Sequence, residues 1–115
     1  MRIWDLKPEV LCDNHLLGEH RELHAIWNIL TQGKKGYANH PETKRWVGKL
    51  KALFDRHQEE AREIEKRGWK HNSELDAGLA VGSALQDELI DPIDIQKELL
   101  KQKPCRCYET HDEVI

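Results

Sequence analysis

Apolar residues along this chain recur at helical spacing in two long runs. In the first, Leu16, Leu23, Ile26, Trp27 and Leu30 keep a period near 3.6, with Asp13 as the expected N-cap and Gly33 as the stop. In the second, Trp46, Val47, Leu50, Leu53, Phe54, Ala61 and Ile64 keep the same period from Glu42 to Lys66-Arg67-Gly68. This predicts a second helix of about seven turns. From Leu75 to Ile90 the helical pattern is weak and interrupted by Gly78 and Gly82. Asp91-Pro92 then reads as an N-cap and first-turn pair opening a last helix that stops before Pro104. No stretch alternates with period two and no repeat recurs. The expected fold is all-α: residues 1–115 as one compact bundle of two long helices plus shorter ones.

Between the two runs, Gly33-Lys34-Lys35-Gly36-Tyr37-Ala38-Asn39-His40-Pro41 carries two adjacent lysines among turn-forming residues and reads as an exposed basic loop, a candidate for phosphate contact. Charge tempers that idea. The net charge is −3, whereas Lys and Arg supply most non-specific affinity for nucleic acid. The distribution is uneven, because residues 1–72 hold 14 Lys and Arg against 11 Asp and Glu, and residues 73–115 hold 4 against 10. No segment approaches the roughly 18 apolar residues of a membrane span, and the N-terminus lacks a signal-peptide core. A cytoplasmic, membrane-free protein is expected. Cys12, Cys105 and Cys107 are odd in number and do not form a disulfide framework, so reduced thiols are expected.

Taken at 100° per residue, His15, Glu19 and Glu22 share a sector of roughly 60° flanking the apolar stripe of the first helix. A carboxylate at such a rim suits general acid/base work. His20 and His24, four apart, could reach one metal ion with Glu19 or His15 completing a site. Cys12, His15, Cys105 and Cys107 could in principle supply four zinc ligands. Neither set has the flanking pattern or spacing of an established metal motif. The histidines therefore read as half-buried hydrogen-bonded side chains, and no metal or cofactor is expected. Trp27 and Trp46 belong to the core, while Trp4 and Trp69 flank elements, where they pack or stack on an extruded base. Lys44, Arg45, Lys49 and Lys51 form a candidate phosphate-facing strip or an ordinary charged face.

The run His15-Leu16-Leu17-Gly18-Glu19-His20-Arg21-Glu22-Leu23 resembles the His-Leu-x-x-Glu-x-Arg-Glu-Leu signature of the bacteriophage-type pyrimidine-dimer DNA glycosylases. Lys49-Leu50 through Arg56 to Lys66-Arg67-Gly68-Trp69 is similar to that family's second long helix and its ending. The resemblance covers about the first 70 residues. It implies an N-terminal segment inserted between helices and a double-stranded DNA partner from which a damaged nucleotide is flipped. It also implies attack on C1′ by the first residue's α-amine, then β-elimination through a Schiff base. An ungapped alignment puts Met1 at the nucleophile and Glu22 at the essential glutamate. Arg2 and Arg21 would contact phosphate or the extruded nucleotide, and His15 would orient the site. An α-amine, with a pKa of about 7.7–8.0, is partly free base at neutral pH. Arg2 is too bulky for the usual removal of an initiator methionine. The chain departs from phage members at Leu23-His24-Ala25, where they carry Leu-Pro-Arg, and at Cys105-Arg106-Cys107-Tyr108, where they have an aromatic-rich basic segment. A monomeric repair glycosylase and abasic-site lyase acting on a pyrimidine dimer is the leading expectation. The alternatives are an abasic-site lyase, a glycosylase for another base, or a non-enzymatic helical DNA-binding or interaction module.

Overall fold

The computed structural model describes residues 2–71, 73–103 and 107; Met1, Cys105 and Tyr108, each named above, lie outside the described residues. The elements in order are a 3₁₀ turn Pro8–Val10, α1 Asp13–Gln32, α2 Pro41–Lys44, α3 Leu50–Lys66, a 3₁₀ turn Ala77–Leu79 and α4 Ile93–Lys101. The chain is thus all-α, as its periodicity predicts. Among the described residues no helix is long and apolar enough to cross a membrane.

α1 forms as expected except at its cap. Cys12, not Asp13, takes the extended cap conformation and its sulfur accepts from the His15 amide. Asp13 instead sits in the first turn, where its charge complements the helix dipole. At the other end Gly33 adopts a left-handed φ of 67° and closes the helix on Ile29.

The single second helix is corrected by the structure. One turn, α2, is followed by a bend in which Gly48 has φ 76°, and only then does α3 begin. Val47, expected in the core, falls in this bend and is 62% exposed. The reason lies in residues 81–83, which run extended instead of helical. The Val81 and Ser83 carbonyls accept from the Lys51 and Ala52 amides at 2.9 and 3.1 Å, and Ser83 N donates to Gly48 O at 2.9 Å. They satisfy first-turn donors of α3 that the helix itself leaves open. The approach is so close that a Cβ on Gly82 would collide with the Gly48 carbonyl. The weak periodicity of residues 75–90 therefore yields only the 3₁₀ turn and this strap. α4 begins one residue later than predicted, with Pro92 at its cap.

Residues 3–6 thread through the middle of the bundle. Ile3 packs in a cluster with Leu23, Ile26, Trp27, Trp46, Ala52 and Leu53. Trp4 and Leu6 point the other way, into a second cluster with Val10, Leu11, Leu16, Ile64 and Leu100. An extended segment alternates faces, so it fills both clusters, at about 1.5–3 kcal/mol for each large side chain removed from water. Its backbone has no helix or sheet to pair with, and side chains take that role. Ile3 N donates to Glu42 and Trp4 N to Glu19, both at 2.6 Å, and Asp5 N donates to Gln96 at 2.8 Å. Arg45 donates to Ile3 O and Arg56 to Leu6 O. Every one of these partners is polar and largely buried because an unpaired buried backbone group is more expensive still.

Candidate active site

A cleft of about 570 Å³ opens between α1 and the basic loop, lined by Glu22, Ala25, Asn28, Ile29, Lys34, Gly36, Tyr37 and His40. Glu22 is half-buried on the rim of α1, where the sequence put it. Lys34 and Lys35 are exposed, and Lys34 brings a cation to the cleft wall opposite the carboxylate. Tyr37 of the basic loop is 70% exposed and holds φ 59°, a left-handed backbone rarely taken by a large side chain. His40 caps α2, its Nδ1 accepting from the Glu42 amide at 3.1 Å.

Glu42 links this cleft to the N-terminal segment. Fully buried, it accepts from Ile3 N, from Trp46 Nε1 at 3.0 Å and from Arg45 Nε. Arg45 then reaches Asp5 at 3.0 Å and the Glu88 carbonyl at 2.9 Å. This corrects the strip of cations expected on the second helix: Arg45 is 5% exposed and committed to the N-terminal segment. Its guanidinium is pulled further above its ordinary pKa by Glu42 and Asp5, against the opposing effect of burial. Lys49 is likewise engaged with Gln86, Asp87 and Glu88. Lys44 remains exposed, as does Arg21. Arg2 pairs with Asp91 at 2.9 Å and lies over the Trp4 ring at 4.1 Å. Trp4 itself is buried and takes the packing role.

Glu19 does not stand on the rim with Glu22. At 3% exposure it faces inward, where it holds the Trp4 amide and the Arg56 guanidinium. Burial pushes its pKa up to about 7, against the opposing pull of Arg56 and the Trp4 amide. Arg56 also reaches Glu60 at 3.2 Å, and Glu60 Oε1 meets His20 Nδ1 at 2.9 Å.

His15 sits two turns before Glu22 and is brought to two cysteines instead. Its Nδ1 lies 3.2 Å from both Cys12 Sγ and Cys107 Sγ. Burial, with the Lys103 charge, lowers its pKa. His20 and His24 are joined by His57 of α3 and by His71, which helical spacing on α1 alone does not reveal. Ring nitrogens of all four lie within 4.8 Å of one another. Burial foremost, and then the neighbouring imidazoles, lowers His20 to about 3 and His24 to about 4, so both are neutral bases at physiological pH. The signal for His57 was present: counted from Leu53 it lies only about 40° around α3, inside the apolar stripe.

A family model described as pyrimidine dimer DNA glycosylase matches residues 1–77. Those residues span the N-terminal segment, α1, the basic loop, α2, α3 and all four clustered histidines. No curated protein and no solved structure matches the chain.

Proposed function

Because this chain belongs to the pyrimidine dimer DNA glycosylase family, we propose that it excises a pyrimidine dimer from double-stranded DNA through a Schiff base on the α-amine of Met1. The observation that carries this reading is the cleft beside Glu22. Its volume of about 570 Å³ falls in the range of roughly 300–1,000 Å³ typical of small-ligand sites, enough for one extruded nucleotide. Lys34 supplies a phosphate contact and exposed Tyr37 a face for stacking. Lys35, Arg21 and Lys44, all exposed, add phosphate contacts around that opening.

The nucleophile is supported by how firmly the segment behind it is held. Ile3 N is fixed on Glu42, which follows the cleft residue His40 by two positions. The amine attacks C1′ of the flipped nucleotide as a free base; the C1′–N bond breaks, and the departing base nitrogen takes up the proton that the attacking amine gives up. Glu22, on the cleft wall, assists opening of the sugar ring and offsets the positive charge of the resulting iminium. Loss of a proton from C2′ then expels the 3′ phosphate, the β-elimination of an abasic-site lyase. Arg2, tied to Asp91 and Trp4, steadies the approach of the segment. His15 is held between Cys12 and Cys107 through its Nδ1.

The test is reductive trapping. Protein bearing its native Met1 is incubated with duplex DNA carrying a cyclobutane thymine dimer or an abasic site, treated with borohydride, and the cross-linked residue is mapped by mass spectrometry. An adduct on the Met1 amine with both substrates is expected. Trapping on the abasic site alone would transfer the activity to another lesion, and no adduct with either would overturn the amine mechanism.

A further inference from the structure

We propose that His20, His24, His57 and His71 bind one zinc-type divalent ion in a closed, all-nitrogen site that ties together α1, α3 and the segment following α3. The first argument is geometric. His20 Nε2 lies 2.8 Å from His71 Nε2 and 3.2 Å from His24 Nε2, and His24 Nε2 lies 3.2 Å from His57 Nε2. Tetrahedral zinc with Zn–N bonds of about 2.0–2.1 Å has its ligand nitrogens about 3.3 Å apart. Four imidazoles from three places in the chain therefore present one nitrogen each to a common centre, three of the separations being 2.8–3.2 Å and all of them within 4.8 Å.

Hydrogen bonding alone accounts poorly for this convergence. His20 Nδ1 faces the Glu60 carboxylate and so carries the ring proton of the neutral imidazole, leaving Nε2 as a single lone pair. Two other Nε2 atoms crowd that one lone pair. His57 Nδ1 faces Gln58 Oε1 at 2.8 Å; with the ring proton on that nitrogen, Nε2 offers its lone pair to the group. The Ser73 carbonyl, 3.2 Å from His57 Nε2, borders the group. A cation at the centre accommodates all four lone pairs at once.

The surroundings supply the second, independent argument. Metal-bound histidines nearly always present the remote ring nitrogen to a carboxylate or carbonyl, which fixes the tautomer. Here Glu60 serves His20, Gln58 serves His57, and Glu74 Oε1 stands 3.5 Å from His71 Nδ1. That His71 nitrogen is buried and reaches no closer acceptor among the described residues, so Glu74 is the group positioned to orient it. An all-imidazole donor set selects zinc and its transition-metal neighbours over magnesium or calcium, which take oxygen ligands. Four protein ligands leave no open position for water, the mark of a structural ion. Through Glu60 and Arg56 the ion would also brace Glu19, the residue that holds Trp4.

The experiment uses the full chain without a polyhistidine tag, with Cys12, Cys105 and Cys107 changed to Ser so that no thiolate competes. Zinc content after gel filtration, zinc X-ray absorption and thermal unfolding are measured. One equivalent of zinc, a shell of four nitrogens with imidazole outer-shell scattering, and a melting temperature that falls on chelation and recovers with zinc are expected. His71→Gln and His57→Gln should each lose the equivalent and the zinc-dependent rise in melting temperature. Should either variant fail to fold, the absorption spectrum of the four-histidine chain still decides. A chain that elutes without zinc, a shell of fewer than four nitrogens, or zinc held equally by both variants would overturn the site. So would zinc bound by the unaltered chain through sulfur and lost entirely on removal of the cysteines.

Discussion

Trp4 donates its amide to Glu19 Oε1 at 2.6 Å, while Arg56 closes on the other oxygen at 2.7 Å. The residue that steadies the N-terminal segment is thus a carboxyl group almost wholly out of water. Burial raises its pKa from 4.5 to about 7, so between those values the folded chain keeps a proton that the unfolded chain releases. The stabilisation this gives is complete below about pH 4.5 and is lost as pH rises through 7. His20 and His24, with lowered pKa values, act in the opposite sense, so only a comparison with Glu19→Gln isolates the carboxyl. Urea unfolding from pH 4.5 to 7.5 should show the parent losing stability relative to that variant; a constant difference would mean Glu19 is ionised throughout.

The Glu42–Arg45 pair makes a larger prediction. Replacing Glu42 by Ala leaves a buried guanidinium with Asp5 as its one carboxylate beside the Ile3 and Glu88 carbonyls, and removes the acceptor of Ile3 N and Trp46 Nε1. Breaking a buried pair in this way costs about 3–5 kcal/mol. Glu42→Gln keeps a carbonyl for the Ile3 amide and should lose less. Denaturant midpoints for the two variants rank them, and equal losses would show that the charge, not the acceptor, is what matters.

These two carboxylates also show how far the sequence could be read. The stripe of α1 is legible because Leu16, Leu23, Ile26 and Trp27 fall on one arc, and all four are buried. Glu19 lies within that same arc, yet its charge argued for a solvated rim. Nothing local announces that Trp4 and Arg56, 15 and 37 residues away, will satisfy it. Arg45 is hidden for the same reason, since a cation among cations looks like part of a charged surface until Asp5 and Ile3 are folded against it. The break at Gly48 is tertiary too, fixed by a strap more than 30 residues downstream. Glu22 and the lysine loop needed only helical geometry and turn composition, and both lie where these put them.

At that strap, Gly82 has φ 87° and its backbone abuts the Gly48 carbonyl. Gly82→Ala should therefore destabilise by more than about 1 kcal/mol, since both strain and collision oppose the methyl group. Gly36→Ala, with open space around it, should change stability by less than about 0.5 kcal/mol. Thermal unfolding of both decides, and an unperturbed Gly82→Ala would mean the strap moves freely away from α3.

In the loop, Tyr37→Ala should weaken binding to lesion DNA by about 1–3 kcal/mol, the usual worth of one base stacked on an aromatic ring, whereas Tyr37→Phe should bind normally. Lys34→Glu should weaken binding to damaged and undamaged duplex alike and flatten its salt dependence. Fluorescence anisotropy at several salt concentrations separates the two effects. A Tyr37→Ala chain that binds as tightly as the parent would remove the ring from the recognition surface.

Glu22 carries the most direct test of the catalytic reading. It is half-buried on the cleft rim, unlike Glu19 and Glu42, whose carboxylates hold the fold together. Glu22→Gln keeps size and hydrogen-bonding capacity while removing the charge, so its melting temperature should stay within a few degrees of the parent. If the carboxylate assists ring opening and offsets the iminium charge, turnover on a dimer-containing duplex should fall by a factor of about 10²–10⁴, the span of a positioned acid or base. DNA binding should persist, because removing a negative charge adds no repulsion toward phosphate. A full rate with an intact fold would take Glu22 out of the chemistry. A collapsed fold would instead mark it as a structural residue like its neighbour one turn earlier.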